Sequence, residues 1–210
     1  PHSVAPDDLH SSPTRRSSDL GPHRWYGNGT EYNQERHIYS DVSTYFININ
    51  PSDTPLRIEN RFNSSDPVTN SVTDYSFYGV LEQDLVNLVN GGSRWYGDLF
   101  DSELSRTYTF NIPDVITSTP VSFEVSIASN VNNSSGTSQN YSVNGDLLFS
   151  QSLPSAVDYG RSSVSFADPT PRTIMPLNIN IVRNSPDVLT YLDKITMNAR
   201  RSLRFYGTQM

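Results

Sequence analysis

Three acidic residues, Asp98, Asp101 and Glu103, lie close together and are of the type that supplies oxygen ligands to calcium. They lack the regular ligand spacing and the turn glycine of a known calcium loop, and they read rather as a solvated turn. Glu31 with Glu35, and Glu82 with Asp84, are candidate acid pairs for glycoside hydrolysis, a chemistry decided by the separation of the carboxyls in space. His23 and His37 stand alone in polar stretches, and no His-x-Glu or His-Glu-x-x-His spacing places ligands on one face. Cysteine is absent, which removes a thiolate nucleophile, a thiolate metal site and a disulfide framework together. Serine is plentiful, but no Gly-x-Ser-x-Gly elbow occurs. The sequence therefore predicts no catalytic residue, no metal ligand and no cofactor site.

What remains is recognition chemistry. Arg94-Trp95-Tyr96-Gly97-Asp98 is the densest aromatic and charged cluster in the chain, and Trp25-Tyr26 is a smaller one. Trp and Tyr are favoured at contact surfaces, so Arg94, Trp95, Tyr96, Trp25 and Tyr26 are the candidate interface residues. The alternative is structural, with the aromatics of 94–96 capping one end of a β core.

The elements that must position these residues are strands. Around 78–100 the hydrophobic period changes: Leu81, Leu85 and Leu88 recur at i, i+4 and i+7, which predicts one short helix near 80–90, stopped by Gly91-Gly92. Elsewhere the period is two. Tyr45, Ile47 and Ile49, then Leu56, Ile58 and Phe62, alternate with polar neighbours, and 72–77 is a third candidate. Tyr108, Phe110 and Ile112, Val121 to Ile127, and Leu177 to Ile181 follow the same rule, with shorter runs around 141–143, 147–149 and 164–166. In the last run Ile195, Met197, Ala199, Leu203 and Phe205 share one face with Arg201, and Thr196, Asn198, Arg200, Ser202 and Arg204 form the wet one. About ten short strands with turn residues between them predict an all-β fold, an antiparallel β-sandwich of jelly-roll type.

Composition agrees. The chain has 210 residues, 35% hydrophobic and 18% charged, with 14 Pro and 11 Gly, a profile that suits a secreted or surface β module. A formal net charge of -7 argues against nucleic acid or an anionic membrane as partner. No run is apolar and long enough to cross a bilayer as a helix. Residues 1–20 lack periodicity and resemble a translated sequencing adapter, so they are expected to be a disordered, non-native leader with the β-sandwich domain occupying 21–210.

Four motifs occur in order: Gly21-Pro22-x-x-Trp25; Tyr39-Ser40-Asp41-x-x-x-Tyr45-Phe46; Gly92-Ser93-Arg94-Trp95-Tyr96-Gly97-Asp98; and Leu192-Asp193-Lys194-Ile195 with Asn198, Arg201 and Leu203. Together they resemble the PorU family, the gingipain-related sortases, or C-terminal signal peptidases, of the bacterial type IX secretion system. The resemblance spans roughly 21–210. It implies a β-rich region ahead of a gingipain-like cysteine peptidase domain whose catalytic His and Cys lie further on, so no residue here inherits them. It also implies a fragment ending near the start of that domain, from a protein of the outer membrane or cell surface that has lost its signal peptide. The full-length relative would remove the C-terminal sorting domain of secreted cargo and attach the cargo to an anionic lipopolysaccharide. Expected partners are the downstream peptidase domain, secreted cargo and other secretion components. A carbohydrate-binding jelly roll or an adhesin-like module of a surface protein is the competing reading, since aromatic faces stack on sugars.

Overall fold

The computed structural model describes residues 23–27, 31–36, 67–91 and 94–204. The leader at 1–20, the motif at 39–46, the strand candidates at 45–49 and 56–62, His37 and Phe205 lie outside the described residues. The chain divides into two compact units, Pro1–Trp25 with Gln34–Val72, and Tyr26–Asn33 with Thr73–Met210; the sandwich belongs to the second. Two short strands, β1 (His23–Gly27) and β2 (Tyr32–Arg36), pair with each other.

The sandwich is all-β, antiparallel and of jelly-roll type. One sheet runs β3 (Asp74–Glu82), β11 (Thr190–Ser202), β6 (Val121–Ser129), β9 (Gly160–Asp168), with β4 (Leu99–Phe100) added beside the start of β11. The other runs β5 (Ser105–Asn111), β10 (Ile174–Val182), β7 (Ser138–Val143), β8 (Asp146–Gln151). From β4 onward the chain alternates between the sheets except at the β7–β8 hairpin, and every ladder between these strands is antiparallel.

Alternation in the sequence becomes the inner faces. Val121, Phe123, Val125 and Ile127 from β6 meet Met175, Leu177, Ile179 and Ile181 from β10 in one buried cluster. Burying each such side chain contributes about 1.5–3 kcal/mol. Aromatic rings tie the two sheets together: Phe166 of β9 stacks on Tyr141 of β7 at 5.2 Å and on Phe149 of β8 at 6.1 Å. Gln139 sits in this apolar layer, fully buried, and is satisfied there: its Oε1 accepts from the Tyr141 hydroxyl and its Nε2 donates to the Ser152 carbonyl. The β7–β8 turn is Asn144-Gly145, both at positive φ, the backbone that two-residue hairpins need.

The helix expected near 80–90 is not formed, and no helix occurs among the described residues. β3 continues through Leu81 and Glu82, paired with Ile195 and Lys194 of β11. A turn then closes on Asn87, whose Oδ1 accepts from the amides of Val89 and Gly91, while Asn90 takes positive φ. The physical reason is competition: a helix this short is marginal in water, whereas the ladder to β11 satisfies the backbone and buries Leu81 against the core.

The last strand also departs from simple alternation. Leu192 and Ile195 both join the core although they are three positions apart, an odd spacing that puts residues of a regular strand on opposite faces; the register shift between Leu192 and Lys194 absorbs the extra residue as a bulge at Asp193. Ile195, Met197 and Ala199 point inward as expected. Thr196, expected in water, is 1% exposed, and Leu203, expected inside, is 43% exposed beyond the end of the strand. Among the described residues Arg201 pairs with no carboxylate: its Nε donates to the Pro113 carbonyl, and the guanidinium lies 4.6 Å from the Phe77 ring centre.

Candidate functional site

Two of the four sequence motifs meet in space. The Gly97 amide donates to the Leu192 carbonyl (2.7 Å) and the Leu192 amide to the Asp98 carbonyl (2.9 Å), so 94–100 runs antiparallel beside the first half of β11. On the other side, Tyr96 exchanges backbone bonds with Val86. Gly97 is needed for this close approach, since a Cβ there would lie 3.1 Å from both Cβ and the carbonyl oxygen of Gln83.

The arrangement separates the residues of the Arg94-Trp95-Tyr96 cluster. Tyr96 is 5% exposed and packs with Ala128 and Tyr191 in a small second core, its ring 6.5 Å from that of Tyr191. Trp95 is 43% exposed and Arg94 faces solvent. Capping therefore falls to Tyr96 alone, and Trp95 stands with exposed Leu85, Val86 and Val89 as an apolar rim.

Charge gathers at the bulge. Burial pushes the Asp193 carboxyl above its ordinary range; Arg94, Lys194 and Arg161 pull it back and Asp84 adds to the rise. Burial likewise raises the Tyr96 phenol, with Asp193 adding to it, while Arg161, which hydrogen-bonds the phenol, and Arg94 oppose the change. The corner thus combines exposed apolar side chains with a partly desolvated charge cluster, a composition suited to contact with another protein surface.

The acidic cluster of Asp98, Asp101 and Glu103 is taken up by arginines. Asp98 accepts from the Tyr108 hydroxyl at 2.8 Å and pairs with Arg106 at 3.3 Å; Glu103 pairs with the same Arg106, and Asp101 with Arg183 at 2.9 Å. These carboxylates are structural, tying the 98–103 segment to β5 and to the loop after β10. Burial and the Asp98 bond together push the Tyr108 phenol up. No group of three or more His, Asp or Glu side chains able to hold a metal occurs among the described residues.

Tyr26 belongs elsewhere. It is 42% exposed and lines a cleft of about 290 Å³ between the Tyr26–Asn33 segment and the outer face of the larger sheet, at Ser122, Glu124, Ser165 and Asn198. Glu31, half of one candidate acid pair, also lines it. Trp25 lies in β1, and the expectation for its ring lies outside the described residues. The cleft was not legible in the sequence, because Glu124 and Ser165 read there as an ordinary wet strand face.

The fold is similar to part of a solved structure, dimeric latent PorU from Porphyromonas gingivalis, at a TM-score of 0.68 and 18% identity, over 89% of this chain and 18% of that one. This chain thus spans under a fifth of the protein whose fold it shares. Lower similarities include the CBM36-1 domain of a multidomain xylanase from the hindgut metagenome of Trinervitermes trinervoides (TM-score 0.38, 8% identity, 63% of this chain and 100% of that one) and a family 35 carbohydrate-binding module from Clostridium thermocellum (0.35, 10%, 58% and 90%). No family model and no curated protein matches the chain.

Proposed function

We propose that the chain is a non-catalytic β-sandwich region of a PorU-like type IX secretion protein, acting as a scaffold that orients a gingipain-like peptidase domain following it at the cell surface. The observation that carries this reading is the fold shared with PorU over 89% of the chain. The Arg94–Asp98 segment and the Leu192–Ile195 segment, both part of the family resemblance, are hydrogen-bonded neighbours, and that adds support. The exposed rim of Leu85, Val86, Val89 and Trp95 is the surface assigned to contact with the peptidase domain or with secretion partners.

The coding sequence beyond Met210 tests the reading directly. A gingipain-like domain with a His and Cys dyad is expected; a glycosidase or a repeat array in its place overturns the proposal. In a full-length protein that carries the dyad, Trp95→Ala should impair cargo processing while the sandwich keeps its melting temperature. Full processing by that variant would remove the rim from the interface.

A further inference from the structure

We propose that the cleft on the outer face of the larger sheet binds a neutral sugar unit of a glycan chain. Its volume of about 290 Å³ is at the small end of ligand sites, which run from about 300 to 1,000 Å³, and admits a ring-sized group rather than a folded peptide. Its floor is built. The Tyr32 amide donates to Asn198 Oδ1 at 2.7 Å and Asn198 Nδ2 donates back to the Tyr32 carbonyl at 3.1 Å, which fixes the covering segment to β11. Gly27 lets the segment close down, because a Cβ there would come within 2.7 Å of the Glu31 carbonyl oxygen and the Tyr32 ring.

The lining chemistry selects the ligand class. Glu124 is oriented by neutral donors, Ser163 Oγ to Oε1 at 2.7 Å and Asn33 Nδ2 to Oε2 at 3.3 Å. Each carboxylate oxygen has a second lone pair, so Glu124 can still accept bonds from ligand hydroxyls. Ser122 and Ser165 add hydroxyls that donate or accept, and Tyr26, 42% exposed, adds an aromatic side chain to the lining. Among the described residues no Lys or Arg lines the cleft, which disfavours phosphate and uronate ligands. Two carboxylates, Glu124 and Glu31, line the cleft, and Lys194, whose Nζ donates to the lining Asn33 Oδ1 at 2.8 Å, partly offsets the field that a cationic ligand would need. A neutral polyhydroxyl group satisfies all of these at once. The site stands on its own residues, so the absence of a downstream peptidase would leave it untouched.

The test is titration of the 210-residue chain, by calorimetry or NMR, with methyl glycosides of neutral hexoses, pentoses and N-acetylhexosamines and their short oligomers. Glucuronic acid and a lysine-rich peptide serve as parallel probes. Saturable binding of at least one neutral glycan is expected. Glu124→Gln and Tyr26→Ala should each weaken it about tenfold or more, roughly 1.4 kcal/mol, and Trp95→Ala should leave it unchanged. Ser165→Trp, a substitution at an exposed strand position, should abolish binding by filling the cleft, and it decides the matter if Glu124→Gln fails to fold. The proposal is overturned if no neutral glycan binds, if binding survives Ser165→Trp, or if the uronate or the peptide binds in place of the glycans.

Discussion

Trp95 and Tyr96 are chain neighbours in opposite environments, one half in water and the other sealed against Ala128 and Tyr191. Emptying a buried aromatic site costs about 3–5 kcal/mol, so Tyr96→Ala should lower stability by that amount, whereas Trp95→Ala should cost about 1 kcal/mol or less. Urea unfolding of the two variants separates them; equal losses would mean that Trp95 is as much a part of the core as Tyr96. Asp193 makes a pH-dependent contribution of definite sign. Its folded-state carboxyl lies above the ordinary value of 3.8, so the ionised form penalises folding at neutral pH. That penalty is relieved as the pH falls through the raised value, and it is gone below 3.8. Asp193→Asn should therefore be more stable than the parent chain at neutral pH, with the gain shrinking as the medium is acidified. Denaturation midpoints across that range measure it, and a gain that grows toward acid would reverse the assignment.

At the scale of elements, β11 is the strand on which the larger sheet is built, flanked by β6 on one side and by β4 and then β3 on the other. Ile195→Asp would bury an unpaired carboxylate in the core and should unfold the sandwich. Simple alternation makes Thr196→Asp harmless, but the structure does not. Thr196 is almost wholly buried on the outer face and faces Glu124 across the ladder. Its neighbours along that face, Lys194 and Asn198, hydrogen-bond the Tyr32–Asn33 segment that lies over it. An aspartate there meets both desolvation and a like charge, so Thr196→Asp should also destabilise, by several kcal/mol. Circular dichroism melting of the pair tests this, and a Thr196→Asp melt matching the parent would show that the outer face is wet.

At the scale of the whole molecule, the residues of β5, β7 and β10 share one buried cluster with those of β6, β9 and β11, so neither sheet has a core of its own. The sandwich should unfold in a single transition, with near-ultraviolet signals from the stacked rings around Phe166 and far-ultraviolet signals from the strands coinciding. Two separated transitions within it would show that the sheets are stabilised independently. The second core around Tyr96 joins the same sheet through Tyr191 and is expected to melt with it.

Alternation alone was enough to determine the fold class and most inner faces. Val121 to Ile127 and Leu177 to Ile181 have one side that water penalises and one that it does not, and that preference is local to each strand. Tertiary structure decided the rest, because the energies involved belong to pairs of distant segments. Leu81, Leu85 and Leu88 carry a helical period, yet the ladder to β11 outweighs it. The bulge at Asp193 exists because Leu192 and Ile195 must both reach the core. Trp95 and Tyr96 are alike in type, and only the approach of Gly97 to Leu192 determines which is buried. Glu124 is a wet-face residue by pattern and a cleft residue in fact, since what covers it, the Tyr26–Asn33 segment, lies some ninety residues earlier in the chain.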